Sequence, residues 1–254
     1  MRLLTFNIRT SSALADLGHH WLFRRRAVRR TVRAVGADVV ALQEVRPGQL
    51  RFLARQLPRH RIAAAGRDGR GRGEACPVLV GPAWSLESWQ VRWLSRTPDV
   101  PGSVMPGAAV PRICTVARLR EVATGVRVTV ANTHLDHRSR SVRARSVRLL
   151  AEWAAGDPTP WVVVGDLNCR VDAPELEALL DAGWTDALTS LPSTGAGSAT
   201  YHGFVGSTDG PRIDQVLVTP RVRTEAARVL HATGRPASDH WPVVADLSFT
   251  ESSG

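Results

Sequence analysis

The 254-residue chain has no lysine: its 33 basic residues are all arginine, set against 23 acidic ones, for a formal net charge of +10. An all-arginine complement reads as coding bias before it reads as function. Arginine is nonetheless the better bidentate phosphate ligand, so the surface would attract anionic substrates, nucleic acid among them. No apolar run approaches the roughly 20 residues that span a bilayer, which argues against membrane insertion. The opening MRLLTFNI alternates like a strand and has no small-residue cleavage site. No signal peptide is expected, and a cytoplasmic location is. Three cysteines, Cys76, Cys114 and Cys169, are too few and too scattered for a disulfide framework or a zinc pattern. They read as reduced, small, half-buried residues. No G-x-S-x-G elbow is present, which speaks against a serine hydrolase. The GDxxD and GNH-type segments of dinuclear phosphatases are missing too.

What is present is an ordinary globular composition, 43% hydrophobic, sufficient for a full core. The length fits one large α/β domain or two small ones. No stretch is long or polar enough to be a linker, so a single domain over residues 1–254 is expected. Strand patterns fall at Leu3–Ile8, Asp38–Val45, Pro77–Val80, Ile113–Leu119, Val126–Asn132, Trp161–Gly165, Ile213–Val218 and Val243–Leu247. Helix patterns fall at Trp21–Val35, Gln49–Leu57, Ser141–Ala154 and Pro174–Asp181. The early part alternates helix and strand, and the middle from about Pro77 to Asn132 is almost all β. The second half echoes the strand–helix–strand order of the first without a true repeat. Loops at 66–74, 98–111 and 190–200 would elaborate one rim. The helix at 21–35 carries Arg24, Arg25, Arg26, Arg29, Arg30 and Arg33 around a stripe of Leu22, Val28, Val32 and Val35. The helix at 141–154 turns Val142, Leu149, Leu150 and Trp153 inward and Arg143, Arg145 and Arg148 elsewhere. Both basic faces read as solvated, with contact to a nucleic-acid backbone as the second reading.

The apolar runs stop in carboxylates, amides and imidazoles: TFN at 5–7, LQEV at 42–45, NTHLD at 132–136, GDLN at 165–168, RID at 212–214 and SDH at 238–240. An Asp at the end of a buried strand costs desolvation unless it is paired or metal-bound. A divalent-cation site that cleaves a phosphate ester is the economical reading. Such a site needs a metal to neutralise developing charge, a carboxylate to orient or deprotonate water, and donors for the phosphoryl oxygens. Period two puts Asp166 and Asn168 on one side of a strand end, and treats His134 and Asp136 likewise. Glu44 and Asn7 each end a run alone. Asp239 and His240 are adjacent and point opposite ways in extended chain, so His240 must pair elsewhere. Asp214 is the natural partner, holding the ring's tautomer and keeping it cationic.

Taken in order, TFNIR, LQEV, GE, NTHLD, GDLN, RID and SDHWPV resemble the endonuclease/exonuclease/phosphatase superfamily. That group includes pancreatic deoxyribonuclease, abasic-site endonucleases, inositol-polyphosphate 5-phosphatases, sphingomyelinases and nocturnin-type enzymes. The match runs from Leu3 to Leu247. Within it the chain most resembles a bacterial group near the nocturnin/deadenylase branch. Asp16 with Trp21 and Arg24, GRGE at 71–74, WLSRTPDVPGS at 93–103, PRICTVARL at 111–119, NTHLDH at 132–137 and TYHGF at 200–204 carry that likeness.

The resemblance implies a four-layer, deoxyribonuclease-like α/β sandwich: two packed mixed β-sheets flanked by helices, with the site at one edge. It implies Mg2+, with Mn2+ as a possible substitute. Glu44 would be the principal ligand, with Asn7 and Asp239 near the metal. Asp166 would activate or align water, and Asn168 would contact phosphate. His240, paired with Asp214, would stabilise the phosphate, and His134 would be a second histidine, oriented by Glu74. Arg112 resembles a phosphate-binding arginine; Glu74, Asp136, His202 and Thr200 would surround the substrate. Two departures stand out. Cys169 and Arg170 follow GDLN where relatives carry small residues or proline, and Cys169 is either a packing residue or a redox-sensitive neighbour of the site. Abasic-site enzymes hold phosphate with a tyrosine, whereas Tyr201 lies in a different segment, which counts against abasic-site repair. The broad lipid-insertion loops of secreted sphingomyelinases are not visible.

The expected function is a metal-dependent phosphoesterase acting on a small soluble phosphorylated metabolite or nucleotide. A nuclease acting on DNA or RNA is the alternative, favoured by the arginine helices and the net charge. A non-catalytic scaffold is disfavoured, because every expected polar position is intact. A monomer is expected.

Overall fold

The computed structural model describes residues 1–12, 17–189, 193–232 and 234–249. Asp16, part of the nocturnin-like signature, lies outside them, as does the start of the 190–200 loop. In chain order the elements are β1 (Arg2–Asn7), α1 (Trp21–Val35), β2 (Val39–Gln43), α2 (Pro47–Gln56), β3 (Arg61–Ala63), β4 (Val78–Val80), β5 (Trp84–Trp93), β6 (Ile113–Glu121), β7 (Arg127–His134) and α3 (Arg140–Ala155). There follow β8 (Trp161–Asp166), α4 (Glu177–Leu180), β9 (Thr185–Asp186), β10 (Thr194–Gly195), β11 (Gly210–Pro211), β12 (Asp214–Val218), β13 (Val222–Val229) and β14 (Val243–Phe249).

Two six-stranded sheets form, ordered β13-β14-β1-β2-β4-β3 and β5-β6-β7-β8-β12-β9. Each holds one parallel pair, β1 with β2 and β7 with β8, and each pair is joined by a helical crossover, α1 or α3. The strand–helix–strand echo in the sequence is this doubled βαβ unit. Period two then sorts the side chains into layers. Leu3, Val39, Ala41, Val128, Val130, Val162, Val164, Val216 and Val243 point between the sheets. Their neighbours Leu4, Phe6, Val40 and Leu42 pack on Val28, Val32 and Leu53 of α1 and α2. Ala131, Val163 and Leu217 pack on Val147 and Leu150 of α3. Strands covered on both faces must be apolar at successive positions, which is why they read as continuous hydrophobic runs. The four-layer sandwich of two mixed sheets with helices outside is the expected architecture.

Several local expectations change. The strands β5 and β13 carry no apolar run, because each sits at a sheet edge with one face open to water. Both contain a register shift, at Leu86/Ser88 and Thr224/Ala226, a common way to twist an edge out of reach of other chains. The helix expected at 174–181 is a 3-10 turn, Pro174–Leu176, followed by the single turn of α4. Leu22, expected on the inner stripe of α1, is 57% exposed, and Trp21 is buried in its place. Arg24, expected in water, is 2% exposed. Its guanidinium donates to the carbonyls of Ile8, Arg9, His19 and Ala237. It thereby ties the loop after β1 to the segment before β14. The cysteines are buried and unbridged. No helix among the described residues is long and apolar enough to cross a membrane.

Candidate active site

The polar residues singled out in the sequence continue the inter-sheet rows past the point where the apolar core ends. On β1 the inward row runs Leu3, Thr5, Asn7; on β2 it runs Val39, Ala41, Gln43. On the second sheet it runs Val128, Val130, Asn132, His134 on β7 and Val162, Val164, Asp166 on β8, while β12 opens on Asp214. Register aligns the ends: His134 lies opposite Asp166, and Asp166 opposite Asp214. A polar seam closes off the apolar core just below. Gln43 Nε2 donates to Asn132 Oδ1 at 2.7 Å and to Thr5 Oγ1 at 3.0 Å. Asn132 Nδ2 donates to the carbonyls of Leu42 (2.9 Å) and Pro77 (2.8 Å). These buried bonds join the two sheets directly beneath the site.

Asp166 is the hub. Its Oδ2 accepts from Asn7 Nδ2 at 3.0 Å and lies 3.5 Å from His134 Nε2 and 3.7 Å from His240 Nε2. His240 Nδ1 is 2.7 Å from Asp214 Oδ2. Asn7 Nδ2 also donates to Glu44 Oε1 at 3.1 Å, and the Thr10 amide donates to Glu44 Oε2 at 2.9 Å. Asn168 returns from the strand end: its amide N–H donates to Asp166 Oδ1 and its Nδ2 to the Leu135 carbonyl, both at 3.0 Å. Arg9, Glu44 and Asn168 hold φ of 54°, 60° and 52°, a region non-glycine residues rarely adopt and that clusters at functional sites. Gly165, the first residue of GDLN, has φ 139°, and a Cβ there would stand 1.9 Å from the Thr133 carbonyl oxygen. Only glycine lets β7 and β8 close on each other beside Asp166.

Burial and charge set distinct protonation states. Burial pushes the Asp166 carboxyl up, and although His240 opposes this, Asp214 and Glu44 add to it, reaching about 7. Burial disfavours a charged His240, but the carboxylates of Asp214 and Asp166 outweigh it and raise the imidazole to about 10. His134 goes the other way: burial, then the charges of Arg112 and His240, hold it well below the usual histidine range. One histidine is therefore a cation and the other neutral, each 4 Å or less from the same carboxylate. Burial also pushes down Arg112, with the Arg67 charge adding to the effect. Among the described residues the Arg112 Nε has no hydrogen-bond partner, and its Nη2 lies 3.0 Å from His137 Nδ1. Two crowded guanidinium groups with an unused donor suit an anionic ligand.

The cleft above Asp166 has a volume of about 410 Å³. Glu44, Glu74, Arg112, His134, Asn168, Asp239 and His240 all reach it, as expected. Other expected residues stand elsewhere. Asn7 and Asp214 lie beneath, holding Asp166 and His240. Asn7 turns its amide nitrogen toward the carboxylates, while its Oδ1 accepts from the Arg9 amide at 3.0 Å. It separates two carboxylates instead of offering a ligand oxygen. Asp136 does not line the cleft; its Oδ1 accepts the amides of Arg138 and Ser139 and so shapes the turn into α3. His202 is likewise off the cleft, its ring against Trp241 at 4.3 Å and its Nδ1 accepting from the Gly206 amide. Glu74 pairs with Arg67 at 2.8 Å instead of orienting His134, which turns to Asp166. Cys169 packs among Leu176 and Leu179, and burial pushes its thiol up to about 12, the environment of a packing residue. Arg9, Thr10, Arg67, His137 and Tyr201 also line the cleft without having been expected there. Tyr201 stands edge-on to the His240 ring at 5.1 Å and is 44% exposed. Its separation from the strand-end motifs hid this; the isolated bridge from Tyr201 to His240 brings it back.

The donor set suits a hard divalent cation. Glu44 and Asp239 are buried carboxylates lining the same cleft, and burial, with the charge of Glu44, raises the Asp239 carboxyl. A cation between two such carboxylates relieves that repulsion. Asp166, Asp214 and His240 also bring polar atoms within 4.8 Å of one another, and a metal there would have to displace the His240 proton, since an imidazolium has no lone pair to offer.

A model of the endonuclease/exonuclease/phosphatase family matches residues 4–240. The chain belongs to the endonuclease/exonuclease/phosphatase family. Like other members, this chain is a phosphoester hydrolase, and the family generally depends on a divalent metal. It is similar to an endonuclease/exonuclease/phosphatase from Bacteroides vulgatus, at 28% identity over 98% of each chain, with a TM-score of 0.90. It is similar to a mannosyl-6-phosphatase of Bacteroides thetaiotaomicron, at 26% identity over 98% of this chain and 100% of that one, with a TM-score of 0.89. D. rerio TDP2, solved with a single-strand DNA product, shares the fold at 16% identity over 98% of each chain, with a TM-score of 0.74. No curated protein matches the chain in sequence.

Proposed function

We propose that the chain hydrolyses the phosphate ester of a small soluble metabolite, a sugar phosphate or a nucleotide, with magnesium as its metal and manganese as a possible substitute. The observation that carries this reading is the buried Asp166 flanked by a cationic and a neutral histidine at the floor of one cleft. A volume of about 410 Å³ is within the range of small-ligand sites, roughly 300–1,000 Å³. The 26% identity to a mannosyl-6-phosphatase supports a sugar phosphate, and the nocturnin-like motifs support a nucleotide. A cytoplasmic location and a monomer belong to the same proposal; the free cysteines support the former.

Glu44 and Asp239 would hold the magnesium, which when bound neutralises charge on a phosphoryl oxygen. Asp166 aligns a water for in-line attack and accepts its proton, a task suited to a carboxyl raised toward neutrality. His240, kept protonated by Asp214, donates to a phosphoryl oxygen. Neutral His134 offers a single ring N–H to the same group. Asn168 and Arg112 complete the cradle, with Arg9 and Arg67 supplying positive charge at its wall.

A nuclease is the second reading, favoured by the net charge of +10. The test is hydrolysis by purified protein with magnesium or manganese, the Asp166→Asn variant serving as control. Sugar phosphates and nucleotides are set against single-stranded and duplex nucleic acids. Metal-dependent phosphate release from a small ester, with polymers untouched, is expected. Polymer cleavage that collapses with added salt would establish the nuclease instead. No release from any ester would end both.

A further inference from the structure

A second cavity, of about 430 Å³, lies on the far side of His240 from the cleft. It is bounded by α1, β1, the end of β13 and the segment leading into β14. Ala27, Arg30, Thr31 and Ala34 fall on one helical face of α1, and the small ones among them leave the sheet beneath partly uncovered. Leu230 and Pro242 complete an apolar floor. Four arginines, Arg2, Arg30, Arg228 and Arg235, stand around it. Arg2 is neutralised by Asp246 through two bonds, of 2.8 and 3.1 Å, and Arg228 feels the same carboxylate. Among the described residues neither Arg30 nor Arg235 has an ion-pair partner. Asp246 thus serves Arg2 and Arg228, with Asp38 also acting on Arg2, while Arg30 and Arg235 stand beside the apolar floor without an ion pair among the described residues; Arg30 comes from the basic face of α1 that the catalytic cleft leaves unused. An anionic group over that floor would give those two guanidinium groups the charge-assisted partner they lack.

We propose that this groove binds a small, soluble amphipathic organic anion. Arg30, Arg228 and Arg235 would take its phosphate, sulfate or sulfonate head, and Ala27, Ala34 and Leu230 its aryl or short alkyl body. The volume of about 430 Å³ falls within the range of small-molecule sites, roughly 300–1,000 Å³. Because His240 stands in the walls of both cavities, binding here must be separated from binding in the cleft.

Anilinonaphthalene sulfonate is the probe: a phosphoesterase cannot turn over a sulfonate, and its fluorescence reports apolar contact. Titrated into the folded chain, it should saturate at one site. Arg30→Ala combined with Arg235→Ala should weaken binding by about tenfold or more, the size of a lost charge-assisted contact. These exposed side chains hold no ion pair, so the fold should survive, which circular dichroism checks. Ala34→Trp, which fills the groove, should abolish binding, and Arg112→Ala in the catalytic cleft should leave it intact. Phenylnaphthylamine, the same rings without the sulfonate, should bind more weakly by a similar factor. The proposal is overturned if the native chain shows no saturable binding, if both groove variants bind normally, if Arg112→Ala alone abolishes binding, or if the uncharged rings bind equally well.

Discussion

The two sheets have the same plan and different chemistry. Each contains one parallel pair with a helical crossover, and each delivers polar side chains at the ends of its inward-facing rows. The first sheet and its loops supply Asn7, Glu44 and Asp239, oxygen and amide groups whose carboxylates crowd one another. The second supplies His134, Asp166 and Asp214, groups arranged to hold and move protons. His240 crosses between them: it precedes β14 of the first sheet yet pairs with Asp214 at the start of β12 in the second. Duplicated architecture therefore does not mean duplicated function. Packing two similar frames face to face brings unlike strand ends together; in the proposed mechanism one end would hold the cation and the other would align water.

Substitutions on the second sheet should break this division most severely. Asp166→Asn should lower kcat by about 100- to 10,000-fold without unfolding the chain; a near-normal rate would remove Asp166 from the reaction. Asp214→Asn should cost about 100-fold and carry a pH signature. The folded-state value of His240, about 10, lies above the ordinary value near ~6.5. The stability that His240 draws from its charged partners is then fully present below that ordinary value and is lost as pH rises through about 10. The gap in unfolding free energy between native chain and Asp214→Asn should be wide at acidic pH and shrink on approaching that upper value. Denaturant titrations across that window check this, and a constant gap would sink it.

On the first sheet the effect should concern metal requirement more than chemistry. Glu44→Gln should raise the magnesium needed for half-maximal rate by about tenfold or more, the scale of one lost charged ligand, with much of the rate restored at saturation. An unchanged titration would take Glu44 off the metal. The smallest effect on rate is expected from the seam that joins the sheets. Asn132→Ala removes three bonds: one acceptor of the Gln43 amide, which keeps Thr5 Oγ1, and one donor to each of the Leu42 and Pro77 carbonyls, the latter keeping the Leu42 amide. Stability should fall by about 2–3 kcal/mol, while kcat per folded molecule changes little. Chemical denaturation beside active-site titration separates the two.

Much of the site was legible because strand periodicity is local. An apolar row that ends in Asn7, His134 or Asp166 shows which side of the sheet those groups occupy. The partnership of His240 with Asp214 followed from the opposite directions of adjacent residues in extended chain. Loop geometry was not legible in this way. Glu74 looked free to orient His134, but its loop folds back, with the Arg67 amide on the Glu74 carbonyl at 3.0 Å, and delivers the carboxylate to Arg67. Tyr201 looked remote, yet lies against His240. Arg24 read as one more solvated arginine until three loop segments wrapped it. The edge strands β5 and β13 escaped notice because a half-exposed edge has no continuous apolar run.

By itself the sequence determined the double-layered strand core, the order of polar strand ends and the family to which they belong. Those depend on alternation within short segments, which neighbouring residues decide. Only the tertiary structure decided which loop side chains wall the cleft, which buried groups support it from below, and that an arginine-rimmed groove lies behind His240. Those depend on where distant segments meet, and no local period records that meeting.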